Sequence, residues 1–178
     1  MSKSEGGSRL KRNNLWAPWR IGYIKGLAKK QDCFICDSVK NPQADGENFV
    51  LWRTTSSLVM LNRYPYNNGH LLLMPIRHVA DLEELNDSEL LEITKLIVAC
   101  QKALKLVVNP HGFNVGMNFG RCAGAGLPGH LHIHIVPRWD GDTNFMEVCA
   151  GTDVVSQSMK DLYAQLKTVS TEHNLPGF

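Results

Sequence analysis

Residues 130–136 read His-Leu-His-Ile-His-Ile-Val, so three of the chain's seven histidines stand at every second position. A β-strand alternates its side chains between two faces with a period of two. The spelling therefore predicts a strand with His130, His132 and His134 on one face and Leu131, Ile133 and Ile135 packed into a core on the other. Neighbouring residues on one face lie roughly 6.5–7 Å apart along a strand. Zinc–nitrogen bonds are only about 2.0–2.1 Å long. Two adjacent imidazoles can converge on one ion, but three in a straight row can hardly do so, and the row is better read with its roles divided. Imidazole can serve as nucleophile, general acid or base, or ligand. The plain alternative is a half-buried strand whose histidines are satisfied by backbone.

The sequence upstream of this row resolves into further elements. Phe49 to Arg53 and Ser57 to Leu61 read as short strands joined by a tight turn at Thr54-Thr55, and Asn67-Asn68-Gly69 marks a turn into a strand from His70 to Pro75. Asn86, with Glu89 three residues on, is a capping-box pattern. It opens a long helix carrying Leu90, Ile93, Leu96, Ile97, Ala99 and Leu104 at helical spacing until Asn109-Pro110. Phe113 to Phe119 reads as another strand. A last amphipathic helix is predicted from about Val154 to Glu172, with Val155, Met159, Leu162, Leu166 and Val169 as its apolar stripe. The sum is an α+β domain. Residues 1–13 read as a disordered basic tail and 14–178 as one domain, with Trp16 to Arg20 anchored on its body. Lys3, Arg9, Lys11, Arg12, Arg20, Lys25, Lys29 and Lys30 crowd the first thirty residues against Glu5 alone. Over the whole chain the formal charge is only +2, so no global field argues for nucleic acid or a membrane as partner. No apolar run approaches the length that spans a bilayer, and no secretory h-region is visible. Five cysteines, an odd number, suit a reducing compartment rather than a disulfide framework, and the protein is expected in the cytoplasm.

Between the last two predicted strands runs Gly120-Arg-Cys-Ala-Gly124-Ala-Gly126-Leu-Pro-Gly129, with four glycines in ten residues. Glycine lets backbone N–H groups turn inward and approach a ligand closely, and such nests bind anions, phosphate above all. A mobile hairpin loop would share the composition. Its position, leading straight into a row of candidate nucleophiles, favours the phosphate reading. Separately, Cys33-Phe-Ile-Cys36 is a CxxC pair, which serves either as a redox motif or as half a zinc site.

The glycine-rich loop, the row His-φ-His-φ-His-φ-φ with φ apolar, and the following Pro137-Arg138-Trp139 together resemble the histidine triad (HIT) superfamily of nucleotide hydrolases and transferases. Asn62 to His70, closing at Gly69-His70-Leu-Leu-Leu-Met-Pro75, is similar to that family's nucleotide-binding hairpin, and the likeness extends over roughly residues 33 to 146. Within the superfamily, Asn118 to Trp139 with Gly141 to Met146 resembles the diadenosine tetraphosphate phosphorylase branch. Hydrolase members usually carry Gln or Gln-Ser just before the first triad histidine, where this chain has Gly126 and Leu127.

The resemblance implies an antiparallel sheet of about five strands with one long central helix and a C-terminal helix. It further implies cleavage of dinucleoside polyphosphates through a nucleotidyl-histidine intermediate on His132, with inorganic phosphate or water as acceptor. His134, His130 and Asn118 complete the catalytic set. Asn62, His70, Gly124, Ala125 and Gly126 are the implied nucleotide- and phosphate-binding residues, Asn62 toward the ribose, with apolar residues of the Phe49 to Leu61 hairpin around the base. Several bacterial members resemble this chain in pairing two cysteines with a downstream His and the first triad His. That implies structural zinc on Cys33, Cys36, His78 and His130, with the His130 carbonyl still able to orient His132; magnesium could accompany the substrate. Family members commonly form homodimers through the long helix and an edge strand. Two other readings stay open: a hydrolase releasing AMP from dinucleoside polyphosphates or phosphoramidates, and a catalytically weak nucleotide- or zinc-binding sensor.

Overall fold

The computed structural model describes residues 33–142 and 157–177; the basic tail, Trp16 to Arg20, Phe145, Met146, Cys149, Val154 and Val155 lie outside them. Helix α1 (Phe34–Lys40) is followed by strands β1 (Val50–Arg53), β2 (Ser57–Leu61) and β3 (Leu71–Pro75). Helix α2 (Asp87–Val108), strands β4 (Gly112–Met117) and β5 (Ile133–Arg138) and helix α3 (Met159–Glu172) complete the order. The five strands form one antiparallel sheet in the order β1-β2-β3-β5-β4. The α+β class, the five strands, the long helix and the closing helix agree with the expectation from sequence.

Helix α2 starts where its cap predicts. The Asn86 side chain accepts from the Glu89 amide at 3.0 Å and the Glu89 carboxylate accepts from the Asn86 amide at 3.0 Å, so two of the orphan N–H groups of a helix start are satisfied. The helix stops at Asn109, which adopts a left-handed φ of 44°, a conformation Asn tolerates better than most residues. Its inner face, with Ile93, Leu96, Ala99, Cys100, Ala103 and Leu104, packs on the same core as Leu131, Ile133 and Ile135. Helix α3 begins later than the predicted Val154, because Ser158 caps it by accepting from the Asp161 amide. It closes the outer edge of β1: Tyr163 Oη donates to the Val50 carbonyl and Lys167 Nζ to the Leu51 carbonyl. An exposed strand edge is a template for unwanted pairing, and these bonds block this one. At the other end of the sheet, Asn114, Val115 and Gly116 of β4 are exposed.

Two departures from the sequence reading bear on the site. Helix α1 was not predicted: it is a seven-residue helix whose N-cap is Cys33, with the sulfur accepting from the Cys36 amide. Through Ile35 and Val39 it covers Val50, Leu58, Met60, Leu72 and Met74 on the histidine face of the sheet. Of the apolar hairpin residues expected around a base, Val50, Leu58 and Met60 are buried under α1, and Leu51, Trp52, Val59 and Leu61 are buried in the core with α2. The second departure is at the start of β5, at Ile133 rather than His130. Regular pairing with β3 ends at Leu73 opposite Ile133. Beyond it the His130 imidazole Nε2, 2.8 Å from the Pro75 carbonyl, takes up an acceptor that a strand neighbour would otherwise use, and the Leu131 amide donates to Val79 instead. The alternation persists, with Leu131 and Ile133 in the core.

The turn before β3 is held by one close approach. Gly69 has φ of +78°, and a Cβ there would sit 3.0 Å from Leu104 Cδ2 and 3.1 Å from Pro137 Cγ. Only glycine fits both the backbone and the space, and this seats the next residue, His70, at full burial.

Candidate active site and the adjoining cysteine–histidine cluster

In register, His134 lies opposite Leu72 on β3 and Gly116 on β4, so the row sits at the middle of the sheet. His132 and His134 have ring centroids 5.1 Å apart. The protonation pattern follows from fixed partners. His132 Nδ1 is 2.8 Å from the His130 carbonyl oxygen. A carbonyl only accepts, so Nδ1 carries the hydrogen, and in the neutral ring the lone pair is on Nε2. This is the orienting carbonyl anticipated for His130.

His134 is set the opposite way. The Tyr66 amide donates to His70 Nδ1 at 3.1 Å, and Asn62 Nδ2 lies 3.2 Å from the same nitrogen. The Asn62 amide is itself oriented, its Oδ1 accepting from the Tyr64 amide at 3.0 Å. Neutral His70 therefore holds its proton on Nε2 and donates to His134 Nδ1, 2.9 Å away. That leaves the proton of His134 on Nε2, a buried atom with no protein partner among the described residues. Burial, then the neighbouring His134 and His132, push the pKa of His70 down to about 3. Burial, then His132, push that of His134 down to about 4. Both rings are neutral near pH 7. The result is a lone pair on His132 and an N–H donor on His134, side by side.

The other expected site residues divide into two groups. His70 is fully buried behind His134 and reaches a ligand only through it. Asn118 is half-buried, and among the described residues its carboxamide has no partner; its Nδ2 is 4.0 Å from where a Cβ on Gly124 would stand. In the loop, the Gly124 amide donates to the Arg121 carbonyl and the Ala125 amide to the Gly120 carbonyl, so the turn itself uses two of the three amides expected to cradle phosphate. The Gly126 amide is the one without an intramolecular partner among the described residues. Tyr66 is a residue the sequence reading missed. Its ring stacks on His134 at 5.5 Å and 21°, and lies 4.7 Å from His70, covering both from solvent. A lone aromatic inside a turn carries no periodicity, so nothing in the sequence marked it.

The cysteine pair meets the row at its first member. Cys33 Sγ lies 3.2 Å from His130 Nδ1, Cys36 Sγ 3.2 Å from His78 Nδ1, and Cys36 Sγ 3.7 Å from His130 Nδ1. The four ligand atoms all fall within 4.8 Å of one another. Tetrahedral zinc with two sulfur and two nitrogen ligands requires edges of roughly 3.5 Å, so the cluster has the shape and the donor set for such an ion. The remote nitrogen of His130 is held by the Pro75 carbonyl, the outer-shell partner that fixes a ligating tautomer. Burial lowers the pKa of His130 and so favours the neutral ring a metal needs. Of the other cysteines and histidines, Cys100 is buried in the core, and Cys122, His111 and His173 are exposed. No helix among the described residues is long and apolar enough to cross a membrane.

Comparison with known proteins agrees with this geometry. Residues 43–141 match the HIT domain family model. An AP-4-A phosphorylase of Mycobacterium tuberculosis is 40% identical over 171 residues, covering 91% of this chain and 86% of the relative. A hypothetical histidine triad nucleotide-binding protein of Sulfolobus tokodaii superposes with a TM-score of 0.61 at 28% identity, covering 80% of this chain and 93% of that one. A Zn-bound histidine triad family protein of Mycobacterium smegmatis shares the fold, with a TM-score of 0.64 at 21% identity over 80% of this chain and 96% of that one. With the family model matching residues 43–141 and a relative aligned over 91% of its length, the chain belongs to the HIT family of nucleotide-processing proteins.

Proposed function

We propose that this chain cleaves dinucleoside polyphosphates of the diadenosine tetraphosphate type through a nucleotide carried covalently on His132 Nε2, with inorganic phosphate as the preferred acceptor. One observation carries the reading: the backbone-set pair of opposite tautomers, lone pair on His132 and proton on His134. In the first step Nε2 attacks the α-phosphorus in line, the N–P bond forms, and the bridging P–O bond breaks with its electrons leaving on the nucleoside triphosphate. The His134 N–H, held by His70, donates to the phosphate oxygens as charge builds on them. A phosphate oxygen then attacks the same phosphorus, the P–N bond breaks, and ADP leaves with His132 restored. Two displacements of this kind replace one harder one. Asn118 and the Gly126 amide are the unused donors available to the phosphates, and Asn62 faces the ribose while fixing His70. The AP-4-A phosphorylase relative and the absence of Gln before His130 favour phosphate over water.

The test is direct. Incubation with diadenosine tetraphosphate should give ADP and ATP, dependent on added phosphate. AMP and ATP alone would replace this reading by the hydrolase one, and no turnover of it or of an adenosine phosphoramidate would leave a nucleotide- or zinc-binding sensor.

In the same proposal Cys33, Cys36, His78 and His130 hold zinc, which supplies structural cross-linking beside the site and no step of the reaction. Among the described residues no carboxylate cluster offers magnesium a site, so magnesium would come bound to the polyphosphate. The chain is proposed to work in the cytoplasm, where thiolate ligands stay reduced; a Cys33–Cys36 disulfide in protein isolated from cells would count against this. A basic tail over 1–13 and one domain over 14–178 complete the arrangement. Finally, β4 presents an open edge, and Leu91, Val98 and Leu106 of α2 are about half exposed. Pairing of two copies through these surfaces is proposed, and light scattering should report a dimer mass; a monomer at micromolar concentration would refute it.

A further inference from the structure

We propose that Arg121 binds the distal phosphates of a polyphosphate substrate, those beyond the phosphorus that is attacked, and so sets the preference for long phosphate chains. The proposal rests on the nucleotide reading of the site and extends it to a residue that nothing above assigns.

A polyphosphate brings several negative charges, yet the imidazoles facing the site, His134 with His70 behind it, are held neutral by burial, and the backbone of the loop offers only N–H dipoles. A formal cation has to come from elsewhere. Five arginines lie among the described residues, and four of them are engaged. Arg53 holds the Asp45 carboxylate, Arg63 the Glu47 carbonyl and Asn48, Arg77 the Glu89 carboxylate, and Arg138 the Asp142 carboxylate. Arg121 has no side-chain partner among the described residues and is exposed.

Arg121 opens a short 3-10 turn, Arg121–Ala123, inside the glycine-rich loop. The turn is held by the Gly124 amide on the Arg121 carbonyl and the Ala125 amide on the Gly120 carbonyl, so the backbone under the side chain is fixed. The loop leaves the sheet just past Asn118. By strand alternation from Gly116 that residue shares the face of His134, and among the described residues its own carboxamide is also without a partner. The far end of the loop, at Gly129, approaches His78 of the cysteine–histidine cluster, where a Cβ would lie 3.6 Å from His78 Nε2. Gly116 faces His134 and Met117 faces Ile133 across the two strands, so the same register continued puts Asn118 opposite His132, and Arg121 lies three residues further along the loop. His134 Nε2, buried and unpartnered among the described residues, and the Asn118 carboxamide, likewise without a partner there, mark where phosphate oxygens are met. An in-line displacement by His132 sends the leaving phosphates away from that ring, toward the open side where a guanidinium can take them as a fork of donors.

The experiment measures binding of ATP and of AMP by calorimetry to the full chain, wild type and Arg121→Ala, without metal added. The variant should lose about tenfold to a hundredfold in ATP affinity, as expected for charge-assisted hydrogen bonds, and change AMP affinity by no more than roughly twofold. Arg121→Lys should recover part of the loss. Lys160→Ala, which removes an exposed cation from α3, should leave both affinities as they are. In turnover, Arg121→Ala should lower kcat/KM for diadenosine tetraphosphate and spare an adenosine phosphoramidate, which has no distal phosphates. An unchanged ratio of ATP to AMP affinity, or equal losses for both nucleotides, overturns the role of Arg121. Loss of turnover in the wild type with both substrates would overturn the proposed function instead, while the binding ratio still decides the inference.

Discussion

His132→Ala should abolish turnover of diadenosine tetraphosphate, by about 10⁴-fold or more, the scale on which a covalent nucleophile is lost. Such a drop is larger than any other single change in the site should give, because no second group can form the N–P bond. His130 Nδ1 faces Cys33 and Cys36, and His134 Nδ1 is taken up by His70, with its other nitrogen protonated. His134→Ala removes a donor to developing charge while leaving the nucleophile, and should cost about 10²–10³-fold. The two effects separate in a single measurement of the adduct. Wild-type protein mixed with substrate in the absence of phosphate should show one nucleotidyl group by intact mass, His134→Ala the same group forming slowly, and His132→Ala none. Circular dichroism on each variant guards against misfolding, a real concern for a side chain that is only 7% exposed. A folded His132→Ala protein that keeps a tenth of the wild-type rate would end the covalent reading.

Much of this geometry was legible in the chain. The period of two in residues 130–136 predicted which side chains go inward, and Leu131, Ile133 and Ile135 are in the core. Asn86 and Glu89 marked the start of α2 to the residue, since a capping box is a local device whose donors and acceptors lie three residues apart. What escaped depended on distant partners. The burial of His70 follows from the seat of Gly69 against Leu104 and Pro137, residues far away in sequence. The use of the Gly124 and Ala125 amides inside their own turn cannot be told from an open nest by composition, because glycine permits both. Helix α1 has seven residues and a cysteine sulfur as its cap, so neither length nor a familiar capping residue announced it. The CxxC pair favoured half a zinc site over a redox motif, because nothing before Cys33 reads as a strand; what the spacing could not show is that folding brings His78 and His130, more than forty and ninety residues away, to the same two sulfurs.

That convergence carries the other large expected effect. The purified protein should contain about one zinc per chain, and Cys36→Ser should lower both zinc content and thermal stability. For a metal held about 1,000-fold above its dissociation constant, binding contributes about 4 kcal/mol to the folded state. In a domain of this size that corresponds to a fall in Tm of roughly 10 °C. The effect should not stop at stability. His130 joins the cluster through Nδ1 and the active site through its carbonyl, which accepts from His132 Nδ1. An anchored His130 ring holds that carbonyl in place, and the carbonyl sets the tautomer that leaves a lone pair on His132 Nε2. Chelation should therefore lower kcat more than it raises KM, because the phosphate contacts proposed for Asn118 and the Gly126 amide use none of the four cluster residues. Zinc returned to the chelated wild type should restore Tm and kcat together, whereas Cys36→Ser should recover neither. Protein that is fully metal-free as purified, with a Tm that chelator and Cys36→Ser leave unchanged, would show that the four side chains are merely packed together and that His132 is oriented by the backbone alone.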